Sequence, residues 1–382
     1  MKPLRKALLF SSYFILMLLM GSVYTYSIYR PFLLDGFDVS FTVSGYPYMS
    51  SLVFYALSMY TFSRFIRNEY LPRLLLGGTL LLSGGFYISA IATNIWVFTL
   101  GYGVFVGVGV GILYSIALNS VARYFESRIG LLSGVMLMAF GLSSVITSPL
   151  AHAFLSNNSI QSWFLLFALV TFIAGILPFV LLQPIEYEPR YEKSDDPVVG
   201  FIILFTIGAF VGLMMIGLSG TVGTEIYGFS GTRISLLVSV FALGNAGARP
   251  IFGYLMDRYG FIPSMLIINS LVAVATMLNL WNQGSSILLF GISYFVYWFS
   301  LGAWLAMMPL LIKNAVGTAK YATVYGKVFL GYGLAAIGGT LFSGIVLDAL
   351  SNTTLIYLGI LGLLVVITGF SYSIAKSKSY NG

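Results

Sequence analysis

Arg249 is the residue of this chain with the most chemistry to explain. It stands in LLVSVFALGNAGARPIFGYLM, an apolar stretch long enough to cross a bilayer, about seven residues from the charged end of that stretch. An arginine at membrane depth costs at least about 2.5–3.5 kcal/mol unless it faces a wet cavity or a partner. A planar guanidinium gives a carboxylate two parallel hydrogen bonds, each contributing roughly 1.5–3 kcal/mol, so a bound organic anion is the natural compensation. Satisfaction by backbone carbonyls, or snorkelling to the helix end, is the structural alternative. Asn245 lies one turn earlier on the same helical face, placed to donate to a substrate oxygen or to steady the guanidinium. Pro250 follows and cannot donate to the carbonyl of Ala246, which loosens the helix beside the cation.

Other chemistries are excluded by composition. The chain has no cysteine, so it offers no disulfide, thiolate metal site or cysteine nucleophile, and its single histidine, His152, makes a histidine metal centre untenable. All twelve acidic residues fall in loops or near helix ends, leaving no mid-membrane carboxylate to relay protons. No nucleophile–base set can be assembled inside the apolar segments, so an enzyme is not expected, nor is a cofactor. The glycines Gly103, Gly107 and Gly111 recur every four residues. They look on paper like a phosphate loop, but no strand precedes them and they lie in an apolar run; the expected role is a smooth stripe for helix packing.

The elements that must position these residues are membrane helices. Of 382 residues 58% are hydrophobic and 8% charged, against roughly a quarter charged in soluble chains, so the bilayer is the solvent for nearly everything. About 20 apolar residues cross a hydrocarbon core. Twelve segments qualify, near 6–28, 43–65, 72–93, 96–121, 128–152, 161–184, 199–222, 232–256, 261–282, 285–312, 321–346 and 353–375. With the amino terminus inside, the inner segments carry fifteen Lys or Arg, and the outer ones only Arg30 and Arg233. This asymmetry predicts two cytoplasmic termini in a multi-pass cell-membrane protein. It also assigns the net charge of +7 to topology rather than to nucleic acid. The stretch QPIEYEPRYEKSDDP is charged and without an apolar face, which reads as a cytoplasmic linker at 185–198 between six-helix bundles at 1–184 and 199–382. The two halves share a faint repeat: Gly134 to Gly141 and Gly326 to Gly333 each place glycines seven apart, with an aromatic before the second and a leucine after it.

These strings together resemble the major facilitator superfamily, and within it the oxalate/formate antiporter and monocarboxylate transporter group. Gly253-Tyr-Leu-Met-Asp257-Arg258-Tyr-Gly260 is similar to the superfamily's G-x-L-x-D-R-x-G turn, a conformational or gating motif. Gly21-Ser-Val-Tyr24-Thr-Tyr26-Ser27, the ladder Gly107 to Tyr114, and Asn245-Ala-Gly-Ala-Arg249-Pro match stretches of the oxalate/formate branch in order and spacing. The resemblance implies an all-α membrane fold of twelve helices in two pseudo-symmetric halves, alternating access, and a midplane site at Arg249. It also implies that the lysine which pairs with the arginine to hold a dianion is replaced here by Tyr332, which points to monoanions such as lactate, pyruvate or formate. Asn245 stands where the monocarboxylate branch often has an aspartate, so a proton-carrying Asp–Arg pair is missing.

Tyr24, Tyr26, Tyr114, Trp298, Trp304, Tyr325 and Tyr332 are the candidate walls of an apolar cage with hydroxyl donors. Lys327 leaves two readings open: it snorkels to the cytoplasmic surface, or it reaches the cavity. The expectation is a monomeric carrier of a small carboxylate, with protons as the coupling ion and exchange of the oxalate/formate type as the alternative. A ligand-binding membrane sensor on the same scaffold is the reading from another class.

Overall fold

The computed structural model describes residues 3–62, 65–66, 69–125, 129–182 and 198–376, and every regular element among them is helical. We number the membrane helices α1 to α12. The first, α1, runs as Pro3–Met20, a tight 3-10 turn Gly21–Thr25, and Tyr26–Phe37. It is followed by α2 (Tyr46–Phe62), α3 (Leu71–Ala90) and α4, which passes from Ile95–Phe98 through a π-helical stretch Thr99–Val106 into Gly107–Tyr124. Next come α5 (Ile129–Leu155), α6 (Ile160–Leu181) and α7 (Val199–Thr221, continued as Val222–Ile226). The chain closes with α8 (Gly231–Tyr259), α9 (Phe261–Asn282), α10 (Ile287–Gly317), α11 (Thr323–Leu350) and α12 (Thr354–Lys376). Eleven of these are long and apolar enough to cross a bilayer as they stand. The exception, α2, has 17 residues, the lower limit of a spanning helix, and ends beside residues outside the described set. The linker at 185–198 falls almost entirely outside the described residues.

Twelve crossings put Pro3 and Lys376 on one side, called here the terminal face. Two features of α1 differ from the sequence expectation. The helix does not stop near residue 28 but continues to Phe37, because the 3-10 turn tightens it without ending it. Arg30 is therefore not an outer-loop charge; it is a buried residue inside the helix, 2% exposed. At the other end of α1, Arg5 donates to the carbonyl of Leu181 and Lys6 to that of Tyr124. Two cations thus satisfy the bare carbonyls at the ends of α6 and α4, where the helix dipole is negative.

Helices α1 to α6 pack on one another, as do α7 to α12, and the two groups meet where α5 packs on α8, α2 on α11 and α1 on α7. A two-fold axis exchanging each helix with the one six later carries the α5–α8 seam onto the α2–α11 seam and the α1–α7 seam onto itself, so the seams obey the pseudo-symmetry. Without water to drive apolar groups together in lipid, close approach depends on small residues. A Cβ added at Gly220 of α7 would lie 2.0 Å from the carbonyl oxygen of Ser27 in α1. Along α4, Gly103, Gly107 and Gly111 face α2: added Cβ atoms would come 2.6 Å from Ser50 Cβ, the Ser51 oxygen and the Tyr55 oxygen in turn. At Gly317 the backbone takes φ +78, a conformation glycine reaches without a Cβ clash, and this ends α10 before the chain turns into α11.

Candidate functional site

Between the halves lies a cavity of about 110 Å³. Its walls are Tyr24, Tyr55, Tyr114, Leu118, Leu137, Phe140, Arg249, Leu305, Pro309, Tyr321, Tyr325, Phe329 and Tyr332. Arg249 is the one charged residue among them. All the elements at the two long seams contribute, so any relative motion of the halves reshapes the site.

The arginine is held from both sides of the α5–α8 seam. Nη1 donates to the carbonyl of Leu137 in α5, and Nη2 reaches Asn245 Oδ1 at 3.5 Å. Asn245 is fully buried, and its Nδ2 donates to the carbonyl of Trp298 in α10 at 3.0 Å. The amide is thereby fixed with its oxygen toward the guanidinium, so Asn245 positions the cation and does not itself line the cavity. A guanidinium has five N–H donors. Nε of Arg249 is buried and has no partner, so the cation retains donors for another acceptor. Room for the guanidinium comes from Gly141 of α5: a Cβ there would sit 3.4 Å from Nη2 and 3.3 Å from Asn245 Oδ1.

Away from Arg249 the cavity is closed by tyrosines. The hydroxyls of Tyr24 in α1 and Tyr332 in α11 hydrogen-bond at 2.6 Å, joining the two halves directly. Since one hydroxyl spends its proton on the other, the pair keeps one O–H donor and spare lone pairs. Tyr55 packs edge-on against Tyr114 at 5.3 Å and against Tyr332 at 6.1 Å, and Phe329 stacks on Tyr332 at 5.0 Å. Buried aromatic pairs of this geometry hold ring positions firmly. The result is an apolar cage with one cation on one wall and hydroxyls on the other.

The structure brings Arg249, Tyr24, Tyr114, Tyr325 and Tyr332 together around one space. It separates four other candidates from it. Trp298 lies behind Tyr24, edge-on at 6.4 Å, and serves as the carbonyl partner of Asn245. Trp304 lies flat against Gly208 of α7, where a Cβ would come 2.3 Å from its ring, and so faces away from the cavity. Tyr26 donates to the carbonyl of Ser44 and stacks on Tyr48, nearer the opposite face. Lys327 is half-buried and is not among the cavity walls. Asp257, Arg258 and Gly260 end α8 at the terminal face, where Gly260 takes φ +79 and Arg258 donates to the Tyr254 hydroxyl at 2.6 Å. Gly253 lies one turn earlier, with nothing near its Cα that a Cβ would meet.

Sequence reasoning missed Tyr55, Tyr321, Phe140 and Phe329 as walls. Tyr55 and Tyr321 sit in ordinary aromatic-rich sequence with no spacing signal. Phe140 had one: it is the aromatic before Gly141 in the internal repeat, the counterpart of Tyr332 before Gly333.

The profile of the Major Facilitator Superfamily matches the chain twice, over residues 9–219 and 198–379, and the chain belongs to that family of transporters. It is 25% identical to the oxalate:formate antiporter of Oxalobacter formigenes over 341 residues, covering 84% of this chain and 79% of the antiporter. It is 27% identical to human monocarboxylate transporter 11 over 328 residues, 79% of this chain and 68% of the relative. In fold it matches a bacterial homologue of the human lysosomal transporter Spinster, solved inward-facing and occupied. The TM-score is 0.73 at 14% identity, over 99% of this chain and 98% of that one. The chain is thus a multi-pass secondary transporter, not an enzyme.

Proposed function

We propose that the protein carries small monocarboxylates of lactate, pyruvate or formate size by alternating access, with Arg249 as the carboxylate ligand. The observation that carries this reading is a half-buried arginine, the one charged residue in the wall of an aromatic cavity between the halves. A cavity of about 110 Å³ is well below the roughly 300–1,000 Å³ of drug-sized sites, which suits a molecule of a few heavy atoms. One cation balances one negative charge, and the Tyr24–Tyr332 pair supplies a neutral donor where a dianion would need a second cation. The names of the relatives, an oxalate:formate antiporter and a monocarboxylate transporter, agree with a carboxylate substrate.

In this reading the bundles at 1–184 and 199–382, joined by the linker at 185–198, rock about the cavity, and the Gly253–Gly260 turn takes part in gating. Both termini face the cytoplasm: with Arg30 buried in the helix, Arg233 remains as the exposed basic residue of the opposite face among those described. Taking up a monoanion against 100 mV, inside negative, costs about 2.3 kcal/mol, which proton symport cancels and exchange balances. Symport is the leading reading. Exchange is favoured by a separate observation: no Asp or Glu lines the cavity.

Uptake of labelled formate, acetate, lactate, pyruvate and oxalate into proteoliposomes, with and without an inward proton gradient, tests both assignments. Lactate or pyruvate uptake that collapses in Arg249→Lys is the expected result. Unchanged uptake in that variant refutes the carboxylate role of Arg249, preference for oxalate refutes the monoanion, and an absolute need for internal anion replaces symport by exchange.

A further inference from the structure

The face opposite the chain ends carries a second charged arrangement that the transport site does not use. Arg30 of α1, 2% exposed, donates from Nη1 to the carbonyl of Gly217 in α7 at 3.1 Å. Its Nε donates to Ser44 Oγ at 2.9 Å and its Nη2 to the carbonyl of Phe41 at 2.5 Å. Asp348, near the end of α11, reaches the same turn from the other half. Its Oδ1 accepts from the Phe41 amide at 2.6 Å and its Oδ2 from the Thr42 amide at 3.0 Å.

We propose that Arg30 and Asp348 form a reciprocal latch between the halves, which holds this face shut and must break before the carrier opens to that side. The arrangement is symmetrical in its logic. Each half sends one charged side chain onto the backbone of the other, and both grip Phe41, one through its carbonyl and one through its amide. Charge-assisted hydrogen bonds are about twice as strong as neutral ones, and here all but the one to Ser44 Oγ are made to backbone groups that cannot swing aside as a side chain can. The backbones also touch: a Cβ at Gly344 of α11 would lie 2.6 Å from Thr42 Cα. A structural fixture would sit within one half. The Arg30–Gly217 bond and the two Asp348 bonds cross between halves that the family's mechanism requires to separate, so they are bonds of one state only, and weakening them shifts the population toward the other. The inference uses the carrier mechanism of the family and not the carboxylate assignment, so failure of the latch leaves the substrate reading standing.

Because the native chain has no cysteine, single reporters are unambiguous. Ser27→Cys places a thiol in the α1–α7 seam, beyond Tyr24 toward the latched face, where the native side chain is fully buried against Ser219. Leu118→Cys places one in the cavity wall. In nanodiscs, Asp348→Asn is expected to raise the rate of maleimide labelling at position 27 about tenfold while the rate at 118 stays level or falls. Arg30→Lys, which keeps the charge but loses the fork, is expected to act in the same direction. An unchanged rate at 27 in both variants overturns the latch. A parallel rise at both positions also overturns it, since that marks general loosening.

Discussion

Arg30 and Arg249 both lie where the two halves meet, and their difference separates a candidate site from a fastening. Arg30 engages each of its three nitrogens within 3.1 Å and is almost wholly buried. Arg249 borders a cavity, leans on a single carbonyl and a 3.5 Å contact to Asn245, and keeps Nε unpaired. A buried cation is expensive in either place. At Arg30 the protein supplies the compensation in full, and the consequence is rigidity. At Arg249 compensation is incomplete, which under the proposed function leaves donors for a substrate carboxylate.

The sharpest way to break this comparison is to remove each cation in turn. Arg249→Ala is expected to weaken binding of lactate by about 100-fold or more, the loss of two hydrogen bonds to a charged group, with little change in melting temperature. Arg30→Ala is expected to lower the melting temperature by several degrees, because Gly217 and Phe41 lose a charged donor, while affinity in the folded fraction stays within about threefold. Titration calorimetry and thermal unfolding of the purified variants decide it, and the reverse pattern would exchange the two roles. A smaller effect, about five- to tenfold in affinity, is expected for Tyr332→Phe, which removes one hydroxyl from the far wall of the cage. Gly141→Ala should raise KM about threefold: the new methyl meets Nη2 at 3.4 Å and must nudge the guanidinium. Lys327→Gln should leave KM within about twofold, since the lysine does not line the cavity; a tenfold change in uptake would make it a ligand.

The internal repeat shows how much of the site was written locally. Phe140-Gly141 in α5 and Tyr332-Gly333 in α11 occupy equivalent places, and in both the aromatic lines the cavity while the glycine faces the other half. The glycine at 141 makes room for Arg249, and the one at 333 lies against Val53 and Ala56 of α2. Spacing alone exposes the repeat because the same helix is used twice. Spacing does not say which face of each copy is turned inward, and Tyr55 and Tyr321 carry no repeat signal at all. The tryptophans show the opposite error. Trp298 and Trp304 are the right residue type for a cage, yet one supports Asn245 from behind and the other covers Gly208, because rotation of α10 about its axis directs them there.

By itself the sequence determined the membrane class, the number of crossings, the family and the identity of the cavity's cation. Each of these depends on hydropathy, loop charge or an ordered motif, which are local along the chain. Tertiary structure decided which aromatics share the space with Arg249, that Asn245 positions rather than lines, and that Arg30 is a cross-half fastening instead of a loop charge. Those facts depend on how helices distant in sequence rotate and meet at the seams, and a single chain read residue by residue carries no record of that.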